Sequence, residues 1–403
     1  FGYEVRVLEA RSRVGGRVYT LDDVPGRPEG GGNTLGPNYG RAIGLARRFR
    51  VELAAQRGGR EAAGLILDGR RIDRAGWARS PHNSLPQRLR DTPPDGLLPG
   101  QQRHDASAAA VLREAGLDDR ALQWVEANNS YGNRLADTSM LMLYRVSAGL
   151  GRALAMRQPA FDAASGNSRI PEAMAAALRE DVKLGERVTT IRQAAGELCV
   201  SCAGGSEHAA DAVVCALPAT AVRRIRFEPA LPEDQAGAAA AVEYQKVTQG
   251  HFIADAPYWR AAGEPASWWT NGPLGRIFAR EAANESGSFN VTVWVTGDAC
   301  DRYDAQSADA AGAAMQAELE RQIPSAAGHL RLARMVRWAV EPLNEGAWAV
   351  WKPGQIARLP QLLARPHDRV FFAGEHTAVA YSGMEGALES AERVALETLR
   401  RLG

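Results

Sequence analysis

The sequence predicts an α/β fold organised around a dinucleotide-type sheet, and three stretches carry that expectation. Near the C-terminus, Val370-Phe371-Phe372-Ala373 is a short, bulky apolar run of buried-strand character closed by Gly374. From about Met384, Ala387, Leu388, Ala391, Val394, Ala395 and Leu399 then recur at helical spacing. Near the N-terminus, Glu4–Glu9 alternates polar and apolar residues as a strand does, and the Gly15-Gly16 turn follows it. Between the two, Val188–Ile191, Leu198–Cys202 and Ala212–Ala216 read as strands that return to the first sheet. A strand entering a glycine turn and then a helix aims free N–H groups and the positive end of a dipole at one spot. Such a spot suits an anionic or electron-rich ligand, although an ordinary αβ crossover has the same pattern.

The 403 residues are 45% hydrophobic and 24% charged, the profile of a soluble globular protein with a large core. A net charge of +1 offers no electrostatic basis for binding nucleic acid or an anionic membrane surface. No run approaches the roughly 18 apolar residues of a membrane span. Lys183, Lys246 and Lys352 are the only lysines among 48 basic residues. With the many alanines, this suggests a GC-rich bacterial genome and a cytoplasmic protein. Cys199 and Cys202 form a lone CxxC in a strand-like segment, without the second pair or clustered histidines of a zinc site. They read as packed thiols, and no metal ligand set is expected.

In chain order, Glu9 stands at a strand end, where a carboxylate can accept both ribose hydroxyls of an adenine dinucleotide. The Gly15-Gly16-Arg17 turn lets backbone approach a cofactor, and Arg11 and Arg17 can offset pyrophosphate charge. Residues 77–104 are rich in proline and polar residues and read as an irregular excursion. From Ala106 to about Met156 the pattern is helical, with Val111, Leu112, Leu122, Val125, Met140, Leu143 and Tyr144 inward. Asn128, Asn129 and Tyr131 fall between helices, where they either cap loops or line a cavity. Ile170-Pro171-Glu172 starts a helix, with proline in its first turn. Residues 243–300 are strand-like and carry Tyr258, Trp259, Trp268, Trp269, Phe278 and Trp294, which serve equally as cavity wall or core. Residues 308–323 make an amphipathic helix.

The strings VRVLEARSRVGGRVYT (residues 5–20) and FFAGEHT…SGMEGALESAERVA (residues 371–395) resemble the two end motifs of the flavin-containing amine oxidases, the monoamine and polyamine oxidase group. The resemblance implies a glutathione-reductase-type, Rossmann-like FAD-binding domain with an inserted α+β substrate domain. It assigns residues 1–58, 165–242 and 345–403 to the first, and 59–164 and 243–344 to the second. Residue by residue, it implies cofactor contacts at Glu9, Ala10, Arg11, Gly15, Gly16, Arg17, Leu35, Gly36, Pro37, Val188, Gly374, Glu375, Gly383 and Met384. Trp338 and Trp348 fall where the family keeps its active-site aromatics, and Asn38, Tyr39, Trp348, Tyr381 and Gly383 fall where substrate is held. The FAD is expected to be non-covalent, because Ala347 stands where the animal enzymes carry their linking cysteine. The strand and GxGxxG turn that precede this point in the family are missing before Phe1, so the N-terminus reads as incomplete. The C-terminal tail lacks the family's membrane anchor.

Three positions depart from the family's pattern. Gln249 takes the place of the lysine that holds a water against the flavin. Glutamine can hydrogen-bond that water but cannot carry charge or act as a base. Gly383 replaces the second aromatic of the substrate sandwich, unless Tyr381 leans in. Tyr39 stands where amino-acid oxidases grip a carboxylate with arginine, which argues against a free α-amino acid. The expected activity is oxidation of an amine C–N bond to an imine, with a small-molecule amine, bulky or amide-like, and dioxygen as partners. A homodimer is left open. A desaturase or porphyrinogen-type oxidase on the same scaffold, or a flavin-binding protein without turnover, are the alternatives.

Overall fold

The computed structural model describes residues 2–56, 63–72, 105–194, 196–282 and 287–403. The proline-rich stretch 77–104 lies outside them. A seven-stranded sheet runs Leu330–Arg337, Val247–Ala254, Phe289–Thr296, Arg276–Glu281, Ser267–Thr270, Gly64–Leu67 and Arg70–Ile72 in spatial order. All its pairings are antiparallel except that of Ser267–Thr270 with Gly64–Leu67.

The two-residue period of these strands divides their side chains between two faces. Phe252, Val291, Val293 and Ile277 pack with Met315 and Leu319 of helix Ala308–Gln322, and all are fully buried. Gly250 is the close-approach point, since a Cβ there would lie 2.8 Å from Met315 Sδ. The other face carries Gln249, His251, Thr292, Trp294 and Arg276, and it looks toward the N-terminal segment: Asn290 Nδ2 donates to Pro25 O at 2.9 Å. The aromatics of residues 243–300 therefore split. Tyr258, Trp259 and Trp268 fill the helix-side core, and Trp294 sits on the opposite face with Trp338 and Trp348.

The dinucleotide-type part consists of two short parallel pairs, Leu8–Glu9 with Lys183–Leu184 and Val213–Cys215 with Val370–Phe372. Beside them is a four-stranded sheet in the order Arg226–Glu228, Val188–Ala194, Glu197–Cys202, Glu207–Ala210. The strand expected over Glu4–Glu9 shrinks to Leu8–Glu9, because its partner is only two residues long. The helical region resolves into Ala108–Glu114, Asp119–Asn128 and Met140–Ala155. Ser107, Asp118 and Ser139 cap them through side-chain oxygens, and Leu112, Leu122, Met140 and Leu143 close one core.

The C-terminal helix Gly383–Leu402 differs from its sequence pattern. Ala391 and Ala395 are exposed, whereas Glu385 is 1% exposed. The reason is long-range. Helix Gly40–Arg48 begins at Tyr39, which makes no capping bond, and Glu385 supplies the cap from outside. Its oxygens accept from Arg41 N at 3.1 Å and Ala42 N at 3.2 Å, and Arg41 Nη1 adds a third bond at 3.3 Å. Glu385→Ala is expected to lower unfolding free energy by about 1–3 kcal/mol, read as a reduced urea midpoint at unchanged m-value. Full stability in that variant would show that the cap contributes nothing.

Candidate functional site

The two chain ends meet at one ion pair, between a part-buried Arg17 and a buried Glu375. Arg17 Nη1 donates to Glu375 Oε1 at 3.0 Å and to Ala347 O at 2.6 Å, and its guanidinium lies 5.4 Å from the Tyr244 ring centre. Glu375 Oε1 also accepts from Ala349 N at 3.0 Å. Burial pulls the Arg17 pKa down, but Glu375 and Tyr244 more than offset it, so the net shift is upward and the cation is secure. Around this pair lie four of the stretches the sequence singled out. Gly32 N donates to Arg17 O at 2.9 Å, and a Cβ on Gly32 would stand 2.9 Å from Met384 Sδ. Trp338 Nε1 donates to Gly30 O at 2.9 Å.

Backbone here is bare where a planar ligand would need room. Gly16 (φ +57°) and Gly383 (φ +61°) both take left-handed conformations. A Cβ at Gly16 would meet nothing within 4 Å, and one at Gly383 would meet only the Tyr39 hydroxyl at 3.9 Å. Gly374 (φ +137°) is different, because a Cβ there would strike the His376 ring at 2.4 Å. Open glycine backbone, with the part-buried Arg17 and a strand-end carboxylate, fits a flavin dinucleotide.

The remaining predicted contacts form an outer arm. Glu9 Oε1 accepts from Arg11 N at 2.8 Å, and Arg11 Nη2 pairs with Glu341 at 3.2 Å, with Ala10 between them. Gly15 packs against Pro171 and Val188 is half-buried at the start of its strand. Leu35 is fully buried and exchanges two 2.8 Å backbone bonds with Phe161, and Gly36-Pro37 turns the chain into Tyr39. Asn38 Nδ2 donates to Gly149 O at 3.3 Å.

An aromatic pair is linked to the residue before Gly383, since Tyr131 hydrogen-bonds Ser382. The Trp348 and Tyr131 rings are 5.8 Å apart and tilted by 42°, and Trp348 Nε1 donates to Ser130 O at 2.9 Å. Trp348, like Tyr19 and Trp294, packs against the buried cluster of Val247, Trp338 and Ala347. Burial raises the pKa of both Tyr131 and Tyr39, so both phenols stay neutral donors. Tyr381, the candidate second aromatic, is engaged by two arginines. Its ring lies between the Arg152 and Arg41 guanidiniums, at 5.4 and 5.9 Å, and Tyr39 is what reaches Gly383.

Gln249 is 1% exposed and pairs across the sheet with Trp294 and Val336. His251 Nε2 lies 2.9 Å from Gln249 Oε1, and Thr292 Oγ1 lies 3.2 Å from His251 Nδ1. A neutral ring satisfies both contacts with one tautomer: Thr292 donates to Nδ1 and Nε2 donates to Gln249. Burial holds His251 neutral, with a pKa of about 3, and Gln249 keeps its NH2 group as a donor. Lys246 sits apart, bound to Asp298 and Asp301 at 3.0 and 2.8 Å.

Sequence reasoning missed the device that shapes residues 378–381. Glu389 accepts from the N–H groups of Val379, Ala380 and Tyr381 at 2.8–3.1 Å. From the other side, the buried Arg145 donates to the carbonyls of Ala378 and Tyr381. The available signal was an arginine, Arg145, two residues after the apolar run Met140–Leu143 of one helix. A cleft of about 830 Å³ lined by Leu122, Glu126, Gly272 and Val295 shares no residue with this site.

His376 provides a pH test. Its ring is 2% exposed and burial pushes its pKa down to about 4, below the unfolded value near 6.5. The unfolded chain therefore binds this proton first, and the group's stabilisation is present above pH 6.5 and lost as pH falls toward 4. His376→Gln is expected to flatten the stability–pH slope over that window by about 1.4 kcal/mol per pH unit. Parallel slopes for variant and parent would refute it.

Comparison with known proteins fits this geometry. L-amino-acid oxidase from Bothrops atrox is 26% identical over 244 residues, covering 58% of this chain and 48% of the oxidase. The enzyme of Vipera ammodytes ammodytes is 27% identical over 234 residues, covering 56% and 48%. The aligned region thus spans about half the length of these relatives. Cyclohexylamine oxidase from Brevibacterium oxydans superposes with a TM-score of 0.85 at 22% identity, covering 100% of this chain and 94% of that one. Putrescine oxidase bound to putrescine superposes at 0.85 with 21% identity, covering 99% and 94%. These likenesses establish the fold, an α/β FAD-binding architecture with an inserted substrate domain. No helix among the described residues is long and apolar enough to cross a membrane. The sequence model described as flavin containing amine oxidoreductase matches residues 1–399, and the chain belongs to that family.

Proposed function

We propose that this chain is the flavin-binding and substrate-oxidising body of an amine oxidase that takes a bulky or amide-like nitrogen. The observation that carries the reading is the bare backbone at Gly383, bordered by Tyr39 and standing near the Trp348–Tyr131 aromatic pair. In this reading, Glu9 and Arg11 hold the adenosine end, and Arg17, Gly36, Gly374 and Met384 surround the ring end, with Ala347 leaving the flavin unlinked. Residues 59–164 and 243–344 supply the substrate side, and 1–58, 165–242 and 345–403 the cofactor side.

When bound, FAD accepts a hydride equivalent from the carbon beside nitrogen, and dioxygen takes those electrons to give hydrogen peroxide. The protein's own work is positioning and solvation. Trp348, Tyr131 and Trp338 exclude water, and desolvation there penalises an ammonium more than a neutral amine. Gln249, its carbonyl fixed by His251, offers a neutral N–H to a water or to the substrate in place of a charge. Gly383 leaves the volume of a missing aromatic ring, which a bulky substituent can fill.

The chain purified with FAD is expected to release peroxide with bulky amines, and those amines are expected to bleach the flavin under anaerobic conditions. Flavin that stays oxidised with every amine tried would end the amine reading in favour of a desaturase or a non-catalytic role. Gly383→Tyr is expected to lower kcat/KM for bulky amines at least about tenfold while sparing small ones. An equal effect on both classes would remove the assignment of that space to the substrate.

A further inference from the structure

Cys199 and Cys202 do not act together. Three positions apart on one strand, they face opposite sides: Cys199 is half-buried, and Cys202 is 5% exposed among other groups. On its own side, Cys202 meets Glu186 and His208. One ligand-type atom from each, the thiol sulfur, a carboxylate oxygen and an imidazole nitrogen, lies within 4.8 Å of the other two.

The cluster is built by backbone rather than gathered on a loose surface. The turn from Cys202 to Ser206 is closed by Cys202 N donating to Ser206 O at 2.9 Å and Gly205 N donating to Cys202 O at 3.0 Å. Gly205 takes the left-handed conformation the turn needs (φ +88°). Val200 pairs across the hairpin with His208, two residues before Cys202. Glu186 is fixed from another direction, its N–H donating to Glu9 O at 2.9 Å while Gly185 N donates to Arg11 O at 3.0 Å. Three chain segments therefore deliver one ligand group each or brace its neighbour.

The cluster's hydrogen bonding is incomplete. His208 Nε2 is buried and has no hydrogen-bond partner, and it stands 3.9 Å from Glu186 Oε2. A buried ring nitrogen gathered with a carboxylate and a thiol, at spacings longer than a normal hydrogen bond, is a donor set of the kind a cation draws together. Ser206 Oγ donates to Glu186 Oε2 and orients that carboxylate from behind.

We propose that Glu186, Cys202 and His208 form a site for one zinc-type divalent ion. Mixed sulfur, imidazole and carboxylate donors are those this class of ion takes, and three protein ligands leave a fourth position for water. Tetrahedral ligation brings ligand atoms to about 3.3–3.8 Å from one another, so closure from the present spacing needs a contraction of roughly 1 Å. An ion held there ties the hairpin of Glu197–Cys202 and Glu207–Ala210 to the strand end that carries Glu9. It therefore braces the outer arm of the flavin site without touching substrate. The proposal does not depend on the amine reading.

The test is a titration of the purified full chain with Co2+ and, separately, Zn2+. One equivalent of Co2+ is expected to give thiolate-to-cobalt charge-transfer absorption, in difference spectra that subtract any flavin. Excess Zn2+ should displace the cobalt and raise Tm. Cys202→Ser should abolish the charge-transfer band, and His208→Gln should weaken binding by about 100-fold or more. His329→Ala, which removes an exposed histidine beside Asp255, should leave binding unchanged. If Cys202→Ser fails to fold, His208→Gln and Cys199→Ser carry the comparison, the second retaining the band. No cobalt band at micromolar metal, or a band that survives both Cys202→Ser and His208→Gln, would overturn the proposal.

Discussion

The Arg17–Glu375 pair is the contact on which the arrangement of the two chain ends depends. The residues are 358 positions apart, and Arg17 also holds Ala347 O while Glu375 holds Ala349 N. Three distant segments are thus fixed to one another by charge-assisted bonds that converge on the buried Glu375 carboxylate. A largely desolvated pair of this kind is weak evidence of net stabilisation, because removing ions from water offsets most of their attraction. Its value lies in specificity. Removing one partner strands the other, at a cost of about 3–5 kcal/mol, so alternative packings of these segments are strongly disfavoured. The glycine loop, the Trp348 loop and the start of the C-terminal helix inherit their relative positions from it.

A second use of charge follows from the bareness of the site. Where Gly383 leaves backbone bare, carboxylates and guanidiniums hold the neighbouring segments in place from outside. Glu385 caps the helix that begins after Tyr39, and Glu389 and Arg145 grip residues 378–381 from opposite sides. Burial pushes the Arg145 pKa down, with Glu389 and Glu375 working against the shift. A guanidinium spent on two carbonyls rather than on a carboxylate keeps the loop rigid while leaving its charge near the aromatic group.

This division explains what the sequence could and could not reveal. The strand–glycine–helix pattern at residues 370–399 is local, and so was legible; so were the core face of Ala108–Asn128 and the helix Ala308–Gln322. The candidate cofactor residues came from two motifs whose spacing within each end is short. Tyr131, Arg145 and His251 were not legible as candidate site residues, because each acts on a partner far along the chain or is defined only by strand register. Tyr131 reads as a loop residue until Trp348 is placed beside it. Glu385 follows a helical pattern that predicts exposure, and only the uncapped helix Gly40–Arg48 makes its burial intelligible. The strand over Glu4–Glu9 was overextended because alternation shows which residues can pair, not how long the partner is.

The same register bears on the loss of the lysine at Gln249. Trp294 pairs with Gln249 on one side and Arg276 on the other, so the three stand in one row across one face of the sheet. Burial pulls the Arg276 pKa down and Tyr131 pulls it up, which places the guanidinium and the phenol within electrostatic reach. Positive charge has therefore not left this face; it sits two strands away from where the family keeps it. An amine entering beside Trp348 and Tyr131 would lose water and also meet like charge from Arg276 and Arg145. Both effects favour its neutral form, the one from which a hydride equivalent can leave. A neutral amide at Gln249, held by a histidine that burial keeps uncharged, is then compatible with oxidation chemistry. In the proposed reading, the fixed cations of the surrounding walls favour the neutral amine, and Gln249 is left to direct a hydrogen bond.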